Sequence, residues 1–227
     1  MNHIGSVPHI VVIDPAMKTP ETGCFNFLTL QSALPTTYHL PAILGMETLQ
    51  AEDPALIRGF IVLGSMASVH DRAPWQLALE AWLKPMLERR IPTIGFCYGH
   101  QMLAHMYGGR IDFVFPDRKK HVGLREIRVE PTPAFGGGTG QLVVSHREMV
   151  AAPPAAMRII ATSQEIQVDG LAHRELPIFS YQSHPEATVD FLKSHAISTT
   201  DSDRSLSFGH RVCAEFLAYA AGAKSTR

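Results

Sequence analysis

The sequence predicts a three-layer α/β/α fold on a mostly parallel central sheet, with small β-ribbon additions in the second half. Three observations carry this. Apolar runs at 9–13, 59–63 and 91–96 alternate with stretches of helical apolar spacing, the pattern of a parallel sheet covered on both faces. From about residue 124 onward the candidates become short strands separated by Pro- and Gly-rich turns. No internal repeat or linker divides the 227 residues, a length that fits one domain. The chain is read as a single unit, 1–227, with its motif-bearing core at about 9–190 and a helical extension at about 188–227.

Taken in order, His9-Ile10-Val11-Val12-Ile13 is a buried strand that Asp14-Pro15 turns into a loop. Residues 23–34 carry Phe27, Leu28, Leu30 and Leu34 at helical spacing, and Pro35 ends the helix. Strands are expected at 36–40 and 59–63. Residues 75–89 form an amphipathic helix that Pro85 should interrupt. A strand at 91–96 feeds a helix at 98–107, whose Met102, Leu103 and Met106 read as core packing. Further strand candidates are 124–129, 141–144, 158–162, 166–168 and 178–182. Helices follow at 188–195 and 209–221, and the polar stretch 198–207 between them reads as a loose surface loop.

Composition excludes several classes. The net charge of −1 supplies no field to attract nucleic acid or an anionic membrane. Arg118, Lys119 and Lys120 form one short basic run, read as a solvated loop. Three cysteines cannot all pair and match no disulfide or zinc framework; Cys24 and Cys213 read as buried thiols in a reducing cytosol. Residues 1–8 lack a basic stretch followed by an apolar one, and no apolar run nears the ~20 residues that span a bilayer. A cytoplasmic location is expected. His100 and His105 are five apart on one helix, poor spacing for a shared ligand face, and with His121 they give no metal site.

The chemistry centres on Gly95-Phe96-Cys97-Tyr98-Gly99-His100-Gln101. A strand ending in G-x-C-x-G and turning at once into a helix is a nucleophile elbow, its glycines leaving room for a sharp turn. Cys97 then sits at a helix start, where backbone N–H groups and the macrodipole favour a thiolate. Downstream, Ser183-His184-Pro185-Glu186 supplies a base. Pro185 biases His184 toward an extended backbone, in which His184 and Glu186 point to the same side. Nucleophile, base and orienting carboxylate follow the logic of a triad.

With these residues in place, the sequence resembles the class I, triad-type glutamine amidotransferases, and most closely free-standing relatives of the GMP synthase amidotransferase domain. The elbow is similar to their nucleophile motif and H-P-E to their second motif. Ile61-Val62-Leu63-Gly64-Ser65-Met66-Ala67-Ser68-Val69-His70-Asp71 resembles their oxyanion loop, and Val143-Val144-Ser145-His146-Arg147-Glu148-Met149-Val150 the Ser-His segment lining the glutamine pocket. The resemblance implies a flavodoxin-like sandwich and acyl transfer from the side-chain amide of glutamine. Cys97, His184 and Glu186 would be catalytic, the backbone N–H groups of Ser65 and Tyr98 would form the oxyanion hole, and Gly64, Gln101, Ser145 and His146 would bind substrate. Two positions depart from the family's habit: Ser65 stands where a second glycine is common, and Ser183 where phenylalanine is common. His70 and Asp71 could touch substrate or cap the helix near Trp75.

The expected function is glutamine hydrolysis through a cysteine thioester, giving glutamate and ammonia for a separate acceptor synthetase. A stand-alone γ-glutamyl hydrolase or peptidase is the alternative, and a non-enzymatic partner-binding relative a second one. The intact trio argues against the last. No metal or organic cofactor is implied.

Overall fold

The computed structural model describes residues 7–222. The N-terminal segment read above for a leader therefore lies outside the described residues except for its last two positions. In chain order the first half runs β1 (His9–Ile13), α1 (Thr22–Gln31), β2 (Thr36–His39), α2 (Pro41–Leu44), α3 (Glu47–Gln50), β3 (Ile57–Val62), α4 (Pro74–Glu88), β4 (Thr93–Phe96) and α5 (Tyr98–Met106). The second half runs β5 (Arg110–Phe113), β6 (His121–Val129), β7 (Gly138–His146), β8 (Glu148–Ala152), β9 (Met157–Thr162), β10 (Gly170–His173), β11 (Ile178–Tyr181), α6 (Val189–Ser194) and α7 (Ser202–Ala220).

Nine strands form one sheet in the order β2-β1-β3-β4-β11-β10-β9-β6-β7. Pairing is parallel from β2 to β11 and antiparallel from β11 to β7. Most second-half strands thus extend the sheet itself, while β5 and β8 form a separate two-stranded ribbon. Alternation along β1 divides the core. Val11 and Ile13 face the cluster containing Leu79, Leu83 and Leu87 of α4 with Met102 and Leu103 of α5. Ile10 and Val12 face Leu28 of α1 and Phe216 and Leu217 of α7 on the other side. Each of these fully covered leucines contributes roughly 1.5–3 kcal/mol by leaving water.

Three expectations are corrected. Helix α4 runs through Pro85 to Glu88; the proline lies in the last turn on the exposed side, where its ring costs little more than one backbone bond. The stretch 198–207 is a loop only at its start. Asp201 accepts the Arg204 N–H at 3.0 Å and caps α7 from Ser202, and Leu206 is buried beneath it. Residues 166–168 are not a strand: Ile166 exchanges hydrogen bonds with Ser163 in a turn, although Ile166 and Val168 are buried. The basic run 118–120 is an exposed loop, as read, in which Arg118 stacks over Phe113 at 4.7 Å and Lys120 also lines a cavity. Cys24 and Cys213 are buried free thiols, and burial pushes both pKa values up. Among the described residues no helix is long and apolar enough to cross a membrane.

Candidate active site

The candidate site lies where β3, β4, β11 and β7 end. β4 and β11 are parallel neighbours, and the Cys97 N–H continues their ladder by donating to Tyr181 O at 2.9 Å. At Cys97 the chain turns with φ 50° and ψ −101° and enters α5. The strain of the elbow therefore sits on Cys97 itself, a non-glycine residue held at positive φ. The flanking glycines serve close approach instead. A Cβ on Gly99 would lie 2.4 Å from Val62 O, and one on Gly95 2.6 Å from the Gly99 carbonyl.

His184 is held from both sides. Its backbone N–H donates to Val143 O of β7 at 2.8 Å, and its Nδ1–H donates to Glu186 Oε1 at 2.9 Å. Nε2 is then free to face Cys97, whose Cβ stands with the His184 ring against Gly64. Burial pulls the imidazole pKa down, but the Glu186 carboxylate and the Cys97 sulfur overcome it and push it up to about 10. The Phe191 ring, 4.7 Å away centre to centre, closes one side of the imidazole. All three side chains are buried.

Gly64 follows β3 directly against this group: a Cβ there would lie 2.7 Å from His184 Cε1 and 3.4 Å from Cys97 Cβ. Ser65 does not adopt positive φ, so its Cβ is tolerated where the family often has glycine. Its hydroxyl donates to Pro15 O at 2.7 Å and accepts the Ala67 N–H at 3.1 Å, tethering the loop to the end of β1. The Tyr98 N–H belongs to the first turn of α5, where helical N–H groups have no internal acceptor. The Tyr98 ring points away, its hydroxyl accepting from Gln76 Nε2 at 3.1 Å.

A cavity of about 310 Å³ opens at Cys97, with Ser65, Gln101, Ser145 and His146 in its wall. Gln101 Nε2 donates to Glu148 O at 2.7 Å and His146 Nδ1–H to the same carbonyl at 3.0 Å. Ser145 Oγ is buried without a partner among the described residues. Ser183 is buried but is not a cavity residue. His70 bonds the Ile111 carbonyl at 3.2 Å. Asp71 lines the cavity and closes its own 3₁₀ turn by accepting the Ser68 N–H at 2.9 Å. Neither caps α4; Gln76 Oε1 does so by accepting the Ala73 N–H at 2.6 Å. His100 bonds Ser180 Oγ at 2.8 Å, while His105 contacts Arg72 and His121 leans on His146. Those three histidines thus share no ligand geometry.

Sequence reasoning missed Phe113, Lys120 and Arg147 of the outer cavity wall, and Arg125 behind it. Arg125 is 2% exposed, and it pairs with Asp169 and donates to His146 Nε2 at 3.2 Å. The signal was present: Arg125 is in phase with the buried Ile127 and Val129 on β6.

Residues 45–199 match the family model for glutamine amidotransferase class-I. GMP synthase (glutamine-hydrolysing) of Clostridium novyi (strain NT) is 28% identical over 189 residues, covering 82% of this chain and 32% of that protein. One subunit of the GMP synthase (glutamine-hydrolysing) of Pyrococcus abyssi is 33% identical over 102 residues, 44% of this chain and 53% of that one. The chain thus spans about a third of the first relative and half of the second. The solved structure of a glutamine amidotransferase from Methylobacillus flagellatus superposes with a TM-score of 0.71 at 16% identity, over 98% of this chain and 97% of that one. Shared fold and a family match over most of its length agree: the chain belongs to the glutamine amidotransferase class-I family.

Proposed function

We propose that this chain hydrolyses the side-chain amide of glutamine through a Cys97 thioester. The observation that carries the reading is the placement of Cys97, strained at a helix start, beside a His184 whose other nitrogen is bound to Glu186, both packed against Gly64. Cys97 Sγ attacks the amide carbon, and the carbonyl electrons move to oxygen, stabilised by the Ser65 and Tyr98 N–H groups. His184 gives its proton to the departing ammonia as the C–N bond breaks. It then takes a proton from water, which attacks the thioester; glutamate leaves and Cys97 is restored. Glu186 holds the imidazole in the required orientation. Gln101, Ser145 and His146 line the space for the amino-acid end of the substrate, and Gly64 leaves room for the imidazole.

The ammonia would pass to a separate synthetase. Two relatives, from Methanopyrus kandleri and Pyrococcus abyssi, are each one subunit of a GMP synthase, which supports a two-protein arrangement. A second reading, hydrolysis of larger γ-glutamyl amides or peptides, is favoured by the outer cavity wall. There Lys120 and Arg147 stand beside Phe113, and neither cation enters an ion pair among the described residues.

Glutamate release from glutamine and from γ-glutamyl peptides, with Cys97→Ala as control, tests both readings. Weak Cys97-dependent glutaminase activity that a synthetase partner raises supports the amidotransferase. Fast partner-free release from a peptide supports the hydrolase. Release that persists in Cys97→Ala sinks both.

A further inference from the structure

A buried charged group stands behind the glutamine pocket, outside the proposed chemistry. Arg125 and Asp169 form an ion pair with side chains 1% and 0% exposed. Such a pair recovers little more than its own desolvation, so its geometry is more informative than its strength. The second arm of the Arg125 guanidinium donates to His146 Nε2 at 3.2 Å. An arginine can only donate, so Nε2 must carry the lone pair and Nδ1 the proton. Nδ1–H in turn donates to Glu148 O at 3.0 Å, the carbonyl that Gln101 Nε2 grips at 2.7 Å. The line from Asp169 through Arg125, His146 and the Glu148 carbonyl ends at Gln101 in the cavity wall. Along it sits Ser145, whose buried hydroxyl has no partner among the described residues.

We infer that Arg125 is a positioning residue for substrate: it locks the His146 ring in one tautomer, and that ring fixes the Ser145–Glu148 wall where the amino-acid end of the substrate binds. This rests on the proposed γ-glutamyl chemistry but adds a residue no nearer to Cys97 than the back of the pocket. The groups facing His146 agree with the lock. Burial, then the Arg125 charge, hold its pKa well below the ordinary value; the Glu148 carbonyl opposes this, and His121 and His184 add to the lowering. His121 lies on β6 with its ring 5.7 Å away centre to centre. With Arg125 gone, Nε2 loses its donor and the ring is free to take its other tautomer or to protonate more readily, although burial still opposes the charge; an Nε2–H would seek an acceptor elsewhere and loosen the wall.

The test uses the full chain. Arg125→Met/Asp169→Asn removes both charges together, so no lone charge is left buried. The expected result is a KM for glutamine raised about 10-fold or more with kcat within about 3-fold. The acid limb of kcat/KM is expected to move to higher pH in the variant than in the wild type, because the Arg125 charge no longer lowers the His146 pKa while burial still does. Glutamine affinity in a Cys97→Ala background, by calorimetry, should fall in parallel. A folded double variant with unchanged KM, affinity and pH profile overturns the inference. Long-range ¹⁵N–¹H correlation spectra of the wild type decide it without any variant having to fold: His146 as the Nε2–H tautomer, or titrating near 6.5, overturns it. A wild type that binds glutamine but turns over no γ-glutamyl amide sinks the proposed function alone; one that neither binds nor reacts sinks both.

Discussion

Gly64 and His184 are packed so closely that a Cβ on the glycine would lie 2.7 Å from the imidazole Cε1. The ring has no easy retreat, since the His184 backbone is fixed to Val143 and its Nδ1–H to Glu186. Gly64→Ala should therefore displace the imidazole from Cys97 and leave the core intact. A fall in kcat of roughly 10²-fold is expected from a misplacement of this kind. The thermal midpoint should change little. Unchanged kcat in the variant would remove Gly64 from the site.

Glu186 sustains the charge on His184. Burial lowers the imidazole pKa; the Glu186 carboxylate and Cys97 raise it to about 10. Because the folded value exceeds the unfolded one, the stabilisation is fully present below about 6.5. It is lost as pH rises toward about 10. In Glu186→Gln one of the two groups that raise the imidazole pKa is lost, and His184 should titrate well below its wild-type value in NMR spectra. Turnover is expected to drop by about 10²- to 10⁴-fold, as when an orienting carboxylate is lost. An unshifted titration would contradict the pairing.

Buried neutral histidines should make the fold acid-sensitive. Burial, with Arg125 adding and a Val168 backbone contact opposing, lowers the His100 pKa to about 3; His146 is shifted the same way. The unfolded chain then binds more protons below about 6.5, so stability falls as pH falls. Between about pH 7 and about pH 5 the loss should be about 2 kcal/mol for His100. Urea unfolding at the two pH values measures it. His100→Asn should flatten the dependence even if it lowers stability overall. An equal slope in wild type and variant would show that His100 is already protonated in the fold.

Pro85 offers a gain in stability. It is exposed in the last turn of α4 and cannot donate to Ala81 O. Pro85→Ala restores that bond and is expected to stabilise the chain by about 1–3 kcal/mol, with glutamine turnover unchanged. Calorimetric melting reads the shift; a lower midpoint would mean that the ring packs better than its exposure implies.

The sheet was legible in sequence where buried strands are runs of apolar residues, as in β1, β3 and β4. It was less legible where a strand is short and holds few β-formers: β10 is only Gly-Leu-Ala-His, and β5 and β8 find partners in each other across a long loop. The elbow is legible as a place without side chains, but the reason differs from conformational freedom; its glycines answer the nearness of Val62 and of each other. Arg125 escaped because pattern reasoning sends arginine outward, and only a buried acid on a distant loop makes the inward position tenable. Cys97, Gln101, Ser145 and His146 all stand out in the sequence, whereas the cavity that joins them belongs to the fold alone.

Strands β4 and β11 are side by side in the sheet yet come from opposite halves of the chain. The last bond of that seam, Cys97 N–H to Tyr181 O, fastens the elbow to the strand that delivers His184. A chain cut in the exposed stretch 116–119 would leave the thiol on one fragment and the imidazole on the other. Neither piece could work alone, and mixing them would restore turnover only as fast as the seam closes. The seam thus makes this fold suited to fragment complementation, with return of the proposed activity as the signal that two halves have met.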